Sequence, residues 1–532
     1  MIERLIENWL DNANERGGYE EAFCQALAAR GYQIVHRSSH GQLEQGKDVI
    51  AISQNGEICA YQLKAGNLNQ HRWRGISGEI NDLVESAILH PNIHPGSRFK
   101  PYLVSNGEIT DPVRMDIIAK NLAWVARDRE PLQLILRGDL LKWFVDLQGR
   151  FLPTTPVDFQ RFLTLYLADK RDFLDKSAFC EFLESFLPID ASTPRAEIRR
   201  IFSATAVLAN YILSGHRSAG NHLAVAEGWT IVIVYLLRLA EPFRAYRRIW
   251  EPALRLCISA MEDALQLLAD EALSNKHLIE GDPSIDLPFI PTRRTIVLGR
   301  LAGLAIYRRI VGKQHPQEFE LFGRVLDDFD PRQLHFWGEG ASPCFLSMAL
   351  IVWCYGLEGR ACRMAGSVIK TISQGNSRGE PAGLADAYFE PQDLFQAQAA
   401  GEIPFGYRQS FVGRSQSIRT FIEFVTRRGR KRLLEQLWYE ISDVDPTEFV
   451  PTSAADAYRW RCRKGDSQAR KWPRPQSWAA LLQQSTQRST PPLLLCTHFP
   501  ELLIPFFLTF PHRMTPELSR FLDIRIMDLV QS

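Results

Sequence analysis

The sequence predicts an α/β domain at the N-terminus, followed by a large and mostly α-helical region. From Gln33 to Leu136, apolar runs of β-strand length alternate with stretches of helical periodicity, as is typical of an α/β domain. From Val157 to at least Trp438, helical periodicity dominates and no repeat of fixed length recurs. The pattern therefore predicts that the second region is an irregular helical bundle or a degenerate α-solenoid.

The predicted domain boundary follows Leu152, so that the chain divides into residues 1–152 and 153–532. A stretch rich in Pro and Asp at 281–292 predicts a second boundary inside the helical region, and residues 446–532 form a basic and aromatic C-terminal segment. Gln374 to Pro391 reads as a long polar loop. In compact proteins such loops tend to be functional or disordered.

Composition excludes several classes of protein. The 532 residues are 45% hydrophobic and 23% charged, and a net charge of +1 excludes a globally basic nucleic-acid binder. The nine cysteines contain no CxxC pair and predict reduced thiols in a cytoplasmic protein. The charged N-terminus does not resemble a signal peptide. The apolar runs at 342–357 and 491–511 are too short or too interrupted to span a membrane, so we expect buried core elements and no membrane partner.

Two amphipathic helices are expected before the first strand. Ile2, Leu5, Ile6 and Leu10 form one apolar stripe. A second stripe places Glu20 among apolar side chains, namely Tyr19, Phe23, Cys24 and Leu27. Because a buried acid needs a cation or a hydrogen-bond donor, Glu20 is a candidate site residue. The alternative is an acid that only favours the dipole of its helix.

A β-hairpin is predicted between Gly46 and Gly66, with Asn55-Gly56 as its turn. Side chains alternate along a strand, so Gln62 and Lys64 share one face, while Tyr61 and Leu63 share the other. Asp48 opens the first strand. The carboxylate of Asp48 and the carbonyl oxygen of Gln62 suit a divalent cation, and the ammonium of Lys64 suits a water molecule or a phosphate.

Asp48 followed by Gln62-Leu63-Lys64 resembles the motif of the PD-(D/E)XK nucleases in their Mrr-like branch, in which Gln commonly replaces the second acid. The resemblance covers about 150 residues and includes the helix carrying Glu20 and the run from Tyr102 to Gly107. It implies a restriction-endonuclease-like fold and metal-dependent phosphodiester hydrolysis. The implied catalytic residues are Glu20, Asp48, Gln62 and Lys64; the implied ligands of Mg²⁺ or Mn²⁺ are Glu20, Asp48 and Gln62.

Nucleic acid is the expected substrate, with DNA favoured over RNA. A nuclease fused to a helical region resembles effectors of bacterial anti-phage defence, although this is a likeness of architecture alone. The chain has no Walker A motif, so a nucleotide-driven step would need a separate sensor or ATPase subunit. A homo-oligomer is compatible with the sequence. The alternatives are an inactive nuclease fold that binds nucleic acid or acts as a scaffold, and a repair or recombination nuclease.

Three basic segments are candidates for phosphate contacts. Arg72 and Arg74 surround Trp73, which could stack on a base or could cap the following helix. Two further segments lie near the C-terminus: Arg427 to Arg432, and Arg459 to Arg474 with Arg461, Arg463, Arg470 and Lys471 between Trp460 and Trp472. The alternatives for both are a solvated helix end and a surface for a protein partner.

Overall fold

The structure is a computed structural model that describes residues 2–15, 19–37, 45–53, 55–88, 90, 93–94, 96–146, 156–186, 195–275, 277–280, 289–313, 334–380, 383–399, 412–451, 453–460 and 477–531. The chain divides into two compact units. The first comprises Met1–Leu167, Ser192–Gly215 and Arg248–Leu256; the second comprises Ala168–Ala191, His216–Arg247 and Cys257–Ser532. The first unit thus extends beyond the predicted boundary at Leu152. That boundary lies outside the described residues, and so does most of the second predicted boundary at 281–292.

The first unit contains a five-stranded sheet whose strands lie side by side in chain order. The strands are β1 (Gln33–Arg37), β2 (Val49–Ile52), β3 (Ile58–Lys64), β4 (Lys100–Ser105) and β5 (Gln133–Ile135). The pairs β1–β2 and β2–β3 are antiparallel, whereas β3–β4 and β4–β5 are parallel. The predicted hairpin is confirmed, with Gly56 at a φ of 79° in its turn.

Helices cover both faces of this sheet, and the two parallel pairs are joined by the crossover helices that such pairs need. On one face, α1 (Ile2–Asn12), α2 (Glu20–Ala29) and α5 (Arg137–Asp146) share a core with Tyr61 and Leu63 of β3. On the other, the crossover helices α3 (Gln70–Glu85) and α4 (Asp111–Val125) share a core with Ala60 of β3. The alternation predicted for β3 is therefore confirmed, and the N-terminal region is an α/β domain.

The remainder of the described chain is mostly helical, as predicted. Its helices are α6 (Pro156–Leu167), α7 (Lys176–Phe186), α8 (Arg195–Ser218), α9 (His222–Ala240), α10 (Arg247–Ser274), α11 (His277–Glu280), α12 (Ile290–Val311), α13 (Ser342–Cys354), α14 (Glu358–Gly375), α15 (Pro391–Ala399), α16 (Ile418–Arg427), α17 (Lys431–Ser442), α18 (Trp478–Thr486), α19 (Leu494–Thr497), α20 (Leu503–Thr509) and α21 (Pro516–Gln531). Two short parallel strands, β6 (Arg414–Ser415) and β7 (Asp445–Pro446), interrupt them.

The apolar runs form buried helices, as expected. The run at 342–357 becomes α13, whose side chains are buried from Ser342 to Val352, and the run at 491–511 contains α19 and the buried α20. One further helical stretch among the described residues, His222–Ser274, is long and apolar enough to cross a membrane by length and composition, but its most apolar window is 83% buried inside the structure. The apolar helix α9 packs against α7 and α20.

Candidate functional site

Asp48 lies directly beside the end of β3. Its backbone N–H donates to the carbonyl oxygen of Tyr61 at 2.8 Å, and its carboxylate oxygen Oδ2 accepts from the backbone N–H of Leu63 at 2.7 Å. These two bonds fall on either side of Gln62. The local fold of the hairpin therefore places the carboxylate of Asp48 next to the Gln62 position, as the sequence predicted.

Gln62 and Lys64 meet on the opposite face of β3 from Tyr61, and both contact Glu79 of α3. The Gln62 amide Nε2 donates to Glu79 Oε2 at 3.3 Å, and the Lys64 ammonium donates to the same oxygen at 2.6 Å. The sequence did not single out Glu79. Its sequence position could have indicated a place near the sheet, because Glu79 precedes Ile80, a buried residue of the apolar stripe of α3.

The carbonyl oxygen of Gln62 is the unusual atom of this cluster. Only 3% of Gln62 is exposed, and its buried Oε1 accepts no hydrogen bond within the described part of the chain. A buried polar atom without a partner costs about 1–3 kcal/mol. A cation would satisfy this oxygen, and hard oxygen ligands are those that Mg²⁺ prefers. The chemistry of Gln62 and Asp48 thus fits a divalent cation.

Acidic side chains alone do not form a metal centre here. Among the described residues, no group of three or more His, Cys, Asp and Glu side chains is placed to hold a metal ion. A cation bound by Asp48 and Gln62 would therefore complete its coordination with water or substrate oxygens, which is common for Mg²⁺.

The start of α2 reaches the same end of β3. The hydroxyl group of Tyr19 donates to the carbonyl oxygen of Lys64 at 3.0 Å and to that of Val104 at 3.3 Å. Glu20 follows at the first position of α2 and is 6% exposed. The buried position predicted for Glu20 is therefore confirmed, whereas its role as a metal ligand stays a prediction.

Three carboxylates act on the phenol of Tyr19. Burial raises the pKa of Tyr19 well above its ordinary value, and the negative charges of Glu15, Asp48 and Glu20 raise it further. Glu15, which the sequence did not single out, also accepts a hydrogen bond from the backbone N–H of Ala65 at 2.9 Å. Asp48 and Glu20 are thus brought into one electrostatic neighbourhood.

The loop before Asp48 is held against α3. Gly46 has a φ of +74°, and a Cβ atom there would lie 2.3 Å from the backbone oxygen of Glu79, so only glycine permits this approach. Lys47 is buried, and its ammonium donates to the carbonyl oxygens of Gln45 and Asp82, each at 3.1 Å. Burial lowers the pKa of Lys47 to about 8. These contacts fix the position of Asp48, which precedes β2, relative to α3.

Trp73 has neither of the two roles that the sequence left open, since it lies inside α3, whose N-cap is Asn69, and its ring is buried. It is 2% exposed and lies in the core between α3 and the sheet, and its indole Nε1 donates to the carboxylate of Asp116. Its ring is therefore covered by its own domain. Arg72 and Arg74 are exposed in the first turn of α3, and their role as phosphate contacts stays a prediction.

Only part of the basic cluster at Arg427–Arg432 lies on the surface. Arg427 and Arg428 are buried, and each forms an ion pair of 2.7 Å with Asp523 of α21. Arg430 pairs with Glu358, and Lys431 pairs with Glu435 one helical turn away. Arg427 and Arg428 are thus committed to the interior of the helical unit, whereas Arg430, Lys431 and Arg432 are exposed. The other predicted contacts, Arg461, Arg463, Arg470 and Lys471, lie outside the described residues.

No family model, no curated protein and no solved structure matches this chain. The resemblance to PD-(D/E)XK nucleases therefore rests on the residues of the hairpin and its surroundings alone.

Proposed function

We propose that the sheet-containing unit is a metal-dependent endonuclease that hydrolyses phosphodiester bonds in nucleic acid, with DNA favoured. The observation that supports this most is the convergence of Asp48, Gln62 and Lys64 at one end of β3, together with the unsatisfied carbonyl oxygen of Gln62. A carboxylate, a buried amide oxygen and an ammonium at one strand end are a costly arrangement for a purely structural site.

Asp48 and Gln62, with Glu20 as a third ligand, would hold Mg²⁺ or Mn²⁺ at this position. When bound, such an ion polarises a phosphoryl oxygen and lowers the pKa of a bound water molecule. Lys64 supplies a positive charge for the phosphate oxygens, where negative charge accumulates in the transition state. The start of α2 and the loop at Gly46 hold these side chains in place from the two faces of the sheet.

The ion pair between Lys64 and Glu79 leaves Lys64 available for this role. The Lys64 side chain is 19% exposed and that of Glu79 is 49% exposed, so water screens their attraction, and such a pair contributes about 0–1 kcal/mol. A substrate phosphate can therefore replace Glu79 as the partner of Lys64 at small cost. In this structure, Glu79 Oε2 accepts hydrogen bonds from both the Lys64 ammonium and Gln62 Nε2.

A cleavage assay on the intact chain tests the proposal. Supercoiled plasmid DNA and a structured RNA are incubated with Mg²⁺, with Mn²⁺ or with EDTA. We expect nicking with either ion and none with EDTA. Asp48→Asn should abolish cleavage, because it removes the anionic ligand yet keeps an oxygen that can accept from the N–H of Leu63. The matched control is Asp128→Asn, since Asp128 is an exposed acid of the same unit.

The outcomes separate the alternatives. Cleavage at the wild-type rate by Asp48→Asn would contradict the site, and cleavage that survives EDTA would contradict the metal. Failure of the wild-type chain to cleave any substrate with either ion would favour an inactive nuclease fold that serves as a binding or scaffold protein.

We further propose that the protein acts in the bacterial cytoplasm as the effector of an anti-phage defence system, in which the helical unit senses infection or docks a partner. The support is architectural, namely a small candidate nuclease unit joined to a larger helical one. Plaque counts on cells that express the wild-type chain or Asp48→Asn test this role. We expect protection from the wild type alone; equal plaque counts would favour a repair or recombination nuclease.

A further inference from the structure

The outer face of α4 carries an apolar stripe that the described part of the chain leaves more than half exposed. Met115, Ile118, Leu122 and Val125 are 66%, 54%, 71% and 55% exposed, respectively. Scattered exposed apolar residues are ordinary, but four large ones aligned on one helix face form a patch. Such patches mark interaction surfaces in soluble proteins.

The stripe is separate from the face with which α4 packs on its own domain. Val113, Ile117 and Trp124 point into the core of the first unit. The four stripe residues follow one another at intervals of three, four and three residues, which is the a/d spacing of a heptad repeat. That spacing lines one side of a helix with apolar groups that interlock with a second helix of the same kind.

We propose that α4 pairs with α4 of a second copy of this chain, in antiparallel orientation about a two-fold axis. In that register Met115 meets Val125 of the other copy and Ile118 meets Leu122. The same residues then serve on both sides, as a two-fold interface requires.

The charges at the ends of the stripe favour this occupant. Asp111, in the first turn of α4, and Arg129, which follows the end of the helix and bonds back to the carbonyl oxygen of Trp124, are both exposed. In the antiparallel register the end of α4 that begins with Asp111 lies beside the end of the other copy's α4 that Arg129 follows. A parallel pair would instead bring the two acids together and the two arginines together, which is unfavourable.

The size of the stripe predicts a reversible dimer. The helix has 15 residues, so it is roughly 22 Å long. One helix pair of this length gives an interface at the lower end of the specific range. Dimerisation should therefore depend on protein concentration in the micromolar range, and sedimentation velocity of the intact chain across a concentration series is the suitable measurement.

Two substitutions test the apolar contact. Ile118→Glu should weaken self-association by about a hundredfold or more, because two buried apolar side chains per dimer are replaced by charges. The matched control is Ala123→Glu, on an exposed position of the same helix outside the stripe, and it should leave the dissociation constant unchanged. Melting temperatures of the monomeric fractions show that both variants are folded.

A charge exchange tests the orientation. Asp111→Arg or Arg129→Asp alone should each weaken the dimer roughly tenfold, since an exposed ion pair at each end is replaced by like charges. The double variant Asp111→Arg with Arg129→Asp should restore most of the affinity. Recovery is specific to an antiparallel pairing with a second copy.

A monomeric wild-type chain at every concentration would overturn the proposal, as would a dimer that Ile118→Glu leaves intact. Loss of the dimer in Ala123→Glu to the same degree as in Ile118→Glu would also overturn it. Additive weakening in the double charge variant would overturn the antiparallel register.

Discussion

Two ion pairs of almost equal length lie in very different surroundings. The Lys64–Glu79 pair at the end of β3 measures 2.6 Å, and its side chains are 19% and 49% exposed. The Arg428–Asp523 pair of the helical unit measures 2.7 Å, and both side chains are 1% exposed. Distance alone therefore says little about what a pair does. The burial of an ion pair decides whether its two side chains can separate and bind other partners.

The buried pair behaves as part of the core. Burial by itself would raise the pKa of Asp523, but the charges of Arg428 and Arg427 outweigh it and hold the pKa of Asp523 below its ordinary value. Asp523 thus stays ionised in the folded protein. The pair at β3 borders solvent instead, so its lysine can exchange one anionic partner for another. The Arg428–Asp523 pair is therefore structural, whereas the Lys64–Glu79 pair is open to the exchange that the proposed function requires.

The largest effect is expected for Lys64→Ala. Turnover should fall about a thousandfold, because the positive charge acts on the phosphate in the transition state, while the dissociation constant for DNA should change little. Single-turnover cleavage and a separate binding titration provide the two measurements. The matched control is Lys100→Ala, on the neighbouring strand, whose lysine pairs with Glu57 on the surface. If Lys64→Ala lost DNA binding but kept the single-turnover rate, Lys64 would only bind the phosphate and would not act in the transition state.

Asp523→Ala should give the largest loss of stability. Two arginines would lose their buried partner, and breaking a buried pair in this way costs about 3–5 kcal/mol. Thermal unfolding monitored by circular dichroism measures it. Asp528→Ala on the same helix is the control, because Asp528 pairs with Arg488 at the surface, and it should cost below about 1 kcal/mol. Equal losses in the two variants would contradict the distinction between buried and exposed pairs.

The same carboxylate predicts a dependence on pH. The pKa of Asp523 is lower in the folded chain than in the unfolded chain. Its contribution to the free energy of unfolding is therefore fully present above the pKa of the unfolded chain, which is about 4. This stabilisation is lost as the pH falls through the pKa that Asp523 has in the folded chain. The melting temperature of the wild type should therefore drop more steeply than that of Asp523→Ala below about pH 4.

Gln62→Glu should keep cleavage activity and lower the Mg²⁺ concentration for half-maximal activity about tenfold, since it adds a negative charge at the metal position. The substitution also removes the hydrogen bond from Gln62 Nε2 to Glu79 and sets two carboxylates side by side. The double variant Gln62→Glu with Glu79→Gln relieves that repulsion and is the control. Inactivity of both variants in a folded state would show that the amide nitrogen of Gln62, rather than its oxygen, is required.

The smallest effect is expected for Glu79→Gln. Because the pair with Lys64 is partly exposed, its loss should change the free energy of unfolding by below about 1 kcal/mol. Chemical denaturation of the wild type and the variant measures the difference. A loss comparable to that of Asp523→Ala would mean that the pair at β3 is structural, and the contrast between the two clusters would disappear.

The sequence by itself determined the features that depend on near neighbours. The alternation along β3 follows from strand geometry, so the sequence places Gln62 and Lys64 on one face and predicts the hairpin at Asn55-Gly56. The same holds for the α/β character of the first unit and the helical character of the rest, since both follow from the period of the apolar residues.

Only the tertiary structure decided which charges meet. Glu79 joins Gln62 and Lys64 because a crossover helix folds back over β3, and Asp523 reaches Arg428 although 95 residues separate them in the chain. Periodicity shows which side of an element is apolar, but it does not show which element covers that side. For this reason the sequence left open whether Trp73 stacks on a base and whether Arg427–Arg432 contacts phosphate. The structure buries the ring of Trp73 and pairs the buried Arg427 and Arg428 with Asp523.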